Sequence, residues 1–325
     1  MIGFLVSRLA QTALLLVVMS AIVFAGVFMI GDPMAIFIGP TMTAELVEKT
    51  RRELGFDQPL LVQYLRFAQS ALQGDLGTSF IYNESAIQVI LQRIPATFEL
   101  ASVAMVIALG LGLPLGLYAG LRPAGRWSRA IMGVSVLGFS LPGFWVALML
   151  IMVFAVSLGW LPTTGRGGTV TVLGVPLSIL TVDGWRHLIL PAVNLALFPL
   201  ALIIRLTRAG VVENLRLDYV RFARAKGVAP RRILLVHVLK NIAVPIVTVT
   251  GLSFGSLLAF AVVTESVFAW PGMGKLIVDA INTLDRPVVV AYIMVTLLIF
   301  SLINLLVDLA YAVLDPRVRL GEKAS

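Results

Sequence analysis

The 325-residue chain contains no cysteine, which excludes a disulfide framework, a thiol nucleophile and a cysteine-ligated metal. Its two histidines, His187 and His237, are too distant in sequence to form a metal-binding motif. Charge is equally sparse: 13% of residues are charged and 59% hydrophobic, whereas a soluble domain carries about 25% charged residues. The residues suggest neither a hydrolytic triad nor a paired-carboxylate site. The net charge of +8 raises nucleic acid as a partner. However, Lys and Arg are confined to loops between apolar runs without interleaved aromatics, so membrane topology accounts for them better.

Six uncharged stretches remain, at residues 9–31, 100–121, 130–165, 187–204, 241–264 and 287–307. Each reaches the roughly 20 apolar residues that a bilayer-spanning helix needs. The first follows only Arg8 and has no convincing small-residue cleavage site, so it reads as a retained helix. Pro142 should kink the third. With both termini on the cytoplasmic side, 16 basic residues fall inside and 9 outside, the asymmetry of a polytopic membrane protein. Trp160, Trp185 and Trp270 then fall near the outer interface and Trp127 near the inner one. The chain divides into an N-terminal transmembrane helix, 1–31, an external region with short amphipathic helices, 32–96, and a transmembrane core, 97–325.

The external region carries its own helix signals. Thr43 can cap a helix ending near Gly55, and Pro59 can start another that stops at Gly74. Leu61, Tyr64, Leu65, Ala68 and Leu72 give the second an apolar face for the bundle or membrane surface. In the second span, Gly112, Gly116 and Gly120 recur every four residues, a pattern that admits another helix closely, and Gly251 and Gly255 suggest the same in the fifth. The glycines and β-branched residues of 159–187 favour an external hairpin. The fragment GMGK is not a phosphate-binding loop, because Ala269 and Leu276 stand where Gly and Ser or Thr are required. Glu99 and Glu265 fall at outer span boundaries and Arg205 at an inner one, so none requires a buried charge. Asn304 and Asp308, four residues apart on the last span, keep an ion-coupled secondary transporter open as an alternative. A noncatalytic scaffold subunit is a third possibility.

Residues 205–240 form an inner loop between two apolar runs, and 218–240 are its densest basic segment. Within it, Asp218 can N-cap a short helix, Ala223 and Ala225 keep its surface low, Gly227 can end it in a left-handed conformation, and Pro230 suits the first turn of the next helix. ARAKG followed by HVLKN resembles the cytoplasmic coupling loop of ABC importer permeases, most closely the dipeptide, oligopeptide and nickel class. GFDQPL, GDLGTSF, the run containing Glu265, Phe268, Pro271, Gly272, Gly274, Asp285, Pro287 and Val288, and the terminal DPRVR resemble that family in the same order. Arg221 stands where the general loop pattern has its first Glu, and Lys240 where it has proline, with Pro245 further along.

The resemblance implies an all-α, type I ABC permease of about six transmembrane helices in the bacterial cytoplasmic (inner) membrane. The implied partners are a second homologous permease, two cytoplasmic ATPase subunits that use ATP and Mg, and an external solute-binding protein. This chain would hold no cofactor or metal and would not be an enzyme. Asp218, Arg221, Ala223, Arg224, Ala225, Lys226 and Gly227 would form the ATPase-coupling site. Di- or oligopeptides are the first expectation for substrate, with nickel chelates, opines or oligosaccharides as alternatives within the class.

Overall fold

A computed structural model describes residues 2–29, 44–53 and 57–314. Thr43, Gly55 and DPRVR lie outside the described residues. The helices are α1 (Ile2–Met29), α2 (Ala44–Glu53), α3 (Leu60–Leu72), α4 (Ala86–Leu121), α5 (Arg126–Ser140), α6 (Gly143–Leu150), α7 (Val182–Asn214), α8 (Asp218–Ala225), α9 (Pro230–Arg232), α10 (Leu239–Phe260), α11 (Val262–Val267), α12 (Met273–Asn282) and α13 (Arg286–Leu314). π-Helical turns extend α6 through Ile151–Ser157 and join α9 to α10 through Ile233–Val238. A two-stranded antiparallel hairpin, β1 (Val170–Val172) and β2 (Val175–Leu177), lies in the predicted external loop.

Among the described residues, four continuous helical stretches are long and apolar enough to cross a membrane: Ala86–Leu121, Val182–Asn214, Pro230–Ala259 and Arg286–Leu309. Arg126–Ser140 and Gly143–Ser157 form a further apolar helix pair bent by 106°, the geometry of a broken span or a re-entrant loop. The break falls at Leu141 and Pro142, as the lack of a proline N–H demands, with Pro142 capping α6. α1 contributes the shorter apolar stretch Ala10–Gly26.

The fold comprises two compact units, residues 1–94 with 275–301 and residues 95–274 with 302–325. In the first, Pro59 precedes α3 and Gly74 follows it at φ +82°, matching the expected boundaries. Tyr64 and Phe67 of α3 meet Phe24 of α1 at ring distances of 5.5 and 5.7 Å, and the Tyr64 hydroxyl lies 3.0 Å from that of Ser20. Leu61, Leu65 and Leu72 stay exposed, so the expected apolar face is only partly used within the chain. Two of the distant sequence strings meet here: Ser79 of GDLGTSF donates to the Asp285 carboxylate at 2.5 Å, both residues being buried.

The second unit explains the glycine stripe. A Cβ on Gly112 would lie 2.8 Å from Ile203, one on Gly116 2.6 Å from Thr207, and one on Gly120 2.6 Å from Val211. The four-residue spacing lets α4 approach α7 at three successive turns. Gly251 similarly faces Val307. Thr181 caps α7 by accepting the Gly184 N–H at 2.9 Å, with Asp183 in the first turn where the helix dipole favours an acid.

Candidate coupling site

The connection between the spans ending in α7 and beginning at α9 is built around α8. Its N-cap is Leu217, without a side-chain capping bond; Asp218 is the first helical residue. The expectation that Asp218 caps the helix is therefore corrected: its carboxylate instead lies in the first turn, 3.4 Å from Arg221. The C-terminal expectation holds. Gly227 adopts φ +74°, the Gly227 N–H donates to the Arg224 carbonyl at 3.0 Å and the Val228 N–H to the Ala223 carbonyl at 3.1 Å. This paired closure is the Schellman arrangement that glycine permits at low cost. Pro230 opens α9 as expected.

One face of α8 belongs to the protein interior. Val220 is fully buried among Val211, Ile233, Val238 and Ile242, with Tyr219, Ala223 and Val228 packed against the same cluster. Tyr219 donates to Asn214 Oδ1 at 2.8 Å and accepts from Asn241 Nδ2 at 2.9 Å, tying α8 to the ends of both neighbouring spans. This arrangement gives a displacement of α8 a direct route into two membrane segments. Ala223 is only partly buried, packed against this cluster from the edge of α8.

The other face is bare. Asp218, Arg221, Phe222, Arg224, Ala225, Lys226 and Gly227 are exposed. Phe222 is 62% exposed and lies under Lys226, whose Nζ is 4.5 Å from the ring centroid. Sequence reasoning missed Phe222; the available signal was an aromatic flanked by Arg221 and followed by Arg224 and Lys226, four residues after Asp218. An exposed cation-capped aromatic on a short helix pinned from beneath is suited to a protein partner.

The opposite sequence landmark, TESVFAWPGMGKL, has different physics. Glu265 is fully buried; its carboxylate accepts from Thr97 Oγ1 and the Gly274 N–H, each at 2.7 Å. Thr97 in turn accepts the Met273 N–H at 2.8 Å. Gly272 leaves room for the carboxylate, since a Cβ there would strike it. The GMGK backbone is thus committed to an internal acid and does not fit a nucleotide phosphate. Glu99 is also buried, held by Arg166 and Ser178 at 2.7 Å each and by the Ile179 N–H at 2.7 Å. Arg166 further donates to the Pro176 carbonyl at 2.7 Å and lies 5.6 Å from the Trp270 ring centroid.

Both acids correct the expectation that boundary position spares them burial: hydrogen bonds, mostly from distant parts of the chain, and one ion pair replace water around them. Trp270 is corrected as well. It is fully buried, donating to the Ala96 carbonyl at 2.9 Å, whereas Trp127, Trp160 and Trp185 are exposed as interfacial aromatics would be. Arg166, unnoticed in the sequence, was signalled by a lone charge in a glycine-rich apolar loop.

Membrane-length helices, interrupted spans and a short helix exposed between two of them define a transport subunit of the membrane. The chain belongs to the binding-protein-dependent transport system inner membrane component family, whose description matches residues 112–320; the N-terminal region of the same component matches residues 1–101. It is 41% identical over 306 residues to the di/tripeptide transport system permease protein DppB of Pseudomonas aeruginosa, covering 89% of this chain and 90% of that protein. It is 39% identical over 321 residues to the glutathione transport system permease protein GsiC of Escherichia coli K12, covering 98% and 99%. Its fold resembles a chain of the MetNI methionine ABC transporter in an inward-facing conformation, with TM-score 0.54 and 14% identity over 70% of this chain and 97% of that one.

The protein is therefore a multi-pass inner-membrane permease of the ABC importer type, a transport subunit rather than an enzyme. Its family implies ATPase and substrate-binding partners. Family membership replaces the ion-coupled alternative raised by Asn304 and Asp308.

Proposed function

We propose that this permease admits short peptides delivered by an external binding protein, using ATP and Mg bound by partner subunits. The observation that carries the reading is near full-length identity of about two-fifths to permeases named for di/tripeptide and glutathione transport; both named substrates are peptides. A second, homologous permease completes the membrane pathway, two ATPases dock at the cytoplasmic face, and both termini of this chain lie on that side.

The exposed face of α8, comprising Asp218, Arg221, Phe222, Arg224, Ala225, Lys226 and Gly227, receives an ATPase, while Ala223 supports it from the buried side. Closure of the ATPases pushes α8, and the Val220 cluster together with the Tyr219 bridge passes that displacement to α7 and α10. Co-purification from native membranes should recover an ATPase and a second permease, and the reconstituted complex should take up radiolabelled dialanine only with ATP and the binding protein. Ala225→Trp should uncouple uptake while leaving the chain inserted. Recovery of a solitary chain that transports down an ion gradient would refute the reading.

A further inference from the structure

The larger unit encloses a cavity of about 650 Å³ that is open on one side. It lies where helices are interrupted. Gly143 and Phe144 follow the α5–α6 break, and Val263 and Thr264 follow the α10–α11 break, with α7 completing the wall. All the side chains lining it are uncharged. Interrupted helices at membrane depth persist where they are buried in protein or border a polar path, because freed backbone groups need partners. Pro199, on the α7 wall, cannot donate to the carbonyl of Leu195, another wall residue. Gly143 begins α6, so its N–H is among those without an intrahelical acceptor. The wall residues therefore include one carbonyl and one N–H that lack their usual intrahelical partners.

An independent observation points the same way. Asn194 lines the cavity and is 7% exposed. Its Nδ2 donates to Thr264 Oγ1 at 2.9 Å, while its buried Oδ1 has no hydrogen-bond partner among the described residues. Turning the amide over would strand Nδ2 instead. A half-satisfied amide in an apolar wall is costly, and a lipid chain provides nothing to relieve it. A peptide bond provides both an N–H and a C=O.

We infer that this cavity is part of the substrate path and that Asn194, steadied by Thr264, hydrogen-bonds the backbone amide of a passing peptide. The uncharged wall has no group to grip either peptide terminus, and the contact reads backbone rather than side chain. Binding is consequently weak and sequence-indifferent, as a conduit requires. The inference rests on the peptide-import reading, and the experiment separates the two.

Because the chain has no cysteine of its own, a single introduced cysteine is the one thiol in this subunit, and labelling is read on this subunit. In the complete complex reconstituted with its ATPases and binding protein, Ser256→Cys, a partly exposed cavity position, should react with a cationic methanethiosulfonate. Dialanine should slow this reaction during turnover. Val106→Cys, outside the cavity and on the exposed surface of the Ala86–Leu121 span, where lipid would surround it and keep the thiol protonated, should remain unreactive. Asn194→Leu should lower dialanine uptake per ATP hydrolysed about tenfold, the scale of one hydrogen bond, with binding-protein-stimulated ATPase activity retained.

A complex that imports dialanine while Ser256→Cys stays inert, or while Asn194→Leu transports like the parent, overturns the cavity assignment alone. A parent complex that hydrolyses ATP yet imports no dialanine overturns the peptide reading and this contact with it. Should Asn194→Leu fail to assemble, the Ser256→Cys reaction still decides.

Discussion

Two stretches of this permease stand out in its sequence, the basic α8 segment and the Glu265–Gly274 segment, and their polar groups are used in opposite ways. In α8 the apolar residue Val220 points inward and the charged residues point out; their mutual pairing is limited to the exposed Asp218–Arg221 contact. In Glu265–Gly274 the acid points inward, and the Gly274 N–H and the Thr97 hydroxyl close over it. The first arrangement leaves recognition chemistry available to another subunit. The second consumes it in holding two chain segments together. Motif density alone does not distinguish a docking surface from a structural knot; the direction of the polar groups does.

This contrast is broken most severely at the knot. Arg166→Met would leave Glu99 buried without its counter-ion, and removing one partner of such a pair costs about 3–5 kcal/mol. Thermal unfolding of the detergent-purified complex should register that loss, and adding Glu99→Gln should recover much of it. Next in size is Gly274→Val. A Cβ there would lie 2.6 Å from Val262 Cα and 3.0 Å from the Glu265 carboxylate. Backbone cannot yield as a flexible side chain does, so a loss of about 1–3 kcal/mol is expected in the same measurement.

Gly227 tests the other region through conformation rather than space. A Cβ on it meets nothing within 4 Å, yet φ is +74°. Gly227→Ala should cost about 1–2 kcal/mol, expressed locally as faster amide exchange at the end of α8, whereas Gly227→Asn should be milder because Asn tolerates this conformation.

These positions also show what was legible in the sequence. Four continuous spans, the Pro142 break, the hairpin and the glycine stops follow from local rules about apolar length, missing N–H groups and positive φ. The four-residue glycine stripe correctly foretold a close helix contact, though not that α7 would fill it. Burial of Glu99 and Glu265 was illegible because the compensating partners come from far along the chain: Arg166 and Ser178 for the former, Thr97 for the latter. Loop position suggested solvent; long-range hydrogen bonding supplied a substitute. At the candidate coupling site the segment and its stop were readable, while the inward turn of Ala223 and the outward turn of Phe222 depend on helical phase against the Val220 cluster. A one-residue difference in the assigned N-cap, from Asp218 to Leu217, accompanies that change in reading.

The smallest expected effect on stability is also the sharpest test of the comparison. Phe222→Ala removes an aromatic that is largely exposed and in contact with Lys226, but not part of the cluster beneath α8. Truncating it removes no core contact and creates no cavity, so the melting temperature of the isolated permease should remain within the scatter of the parent. At an interface the same side chain would be an aromatic anchor, the class of residue on which binding energy concentrates. ATPase subunits should therefore dissociate from the variant at lower salt and lower concentration than from the parent, measured by size-exclusion chromatography of the detergent-solubilised complex. Equal loss of stability and association would make Phe222 another structural residue and erase the distinction between the two regions. Loss of association alone would establish that α8 keeps its recognition chemistry outside the fold, where the Glu265 segment keeps none.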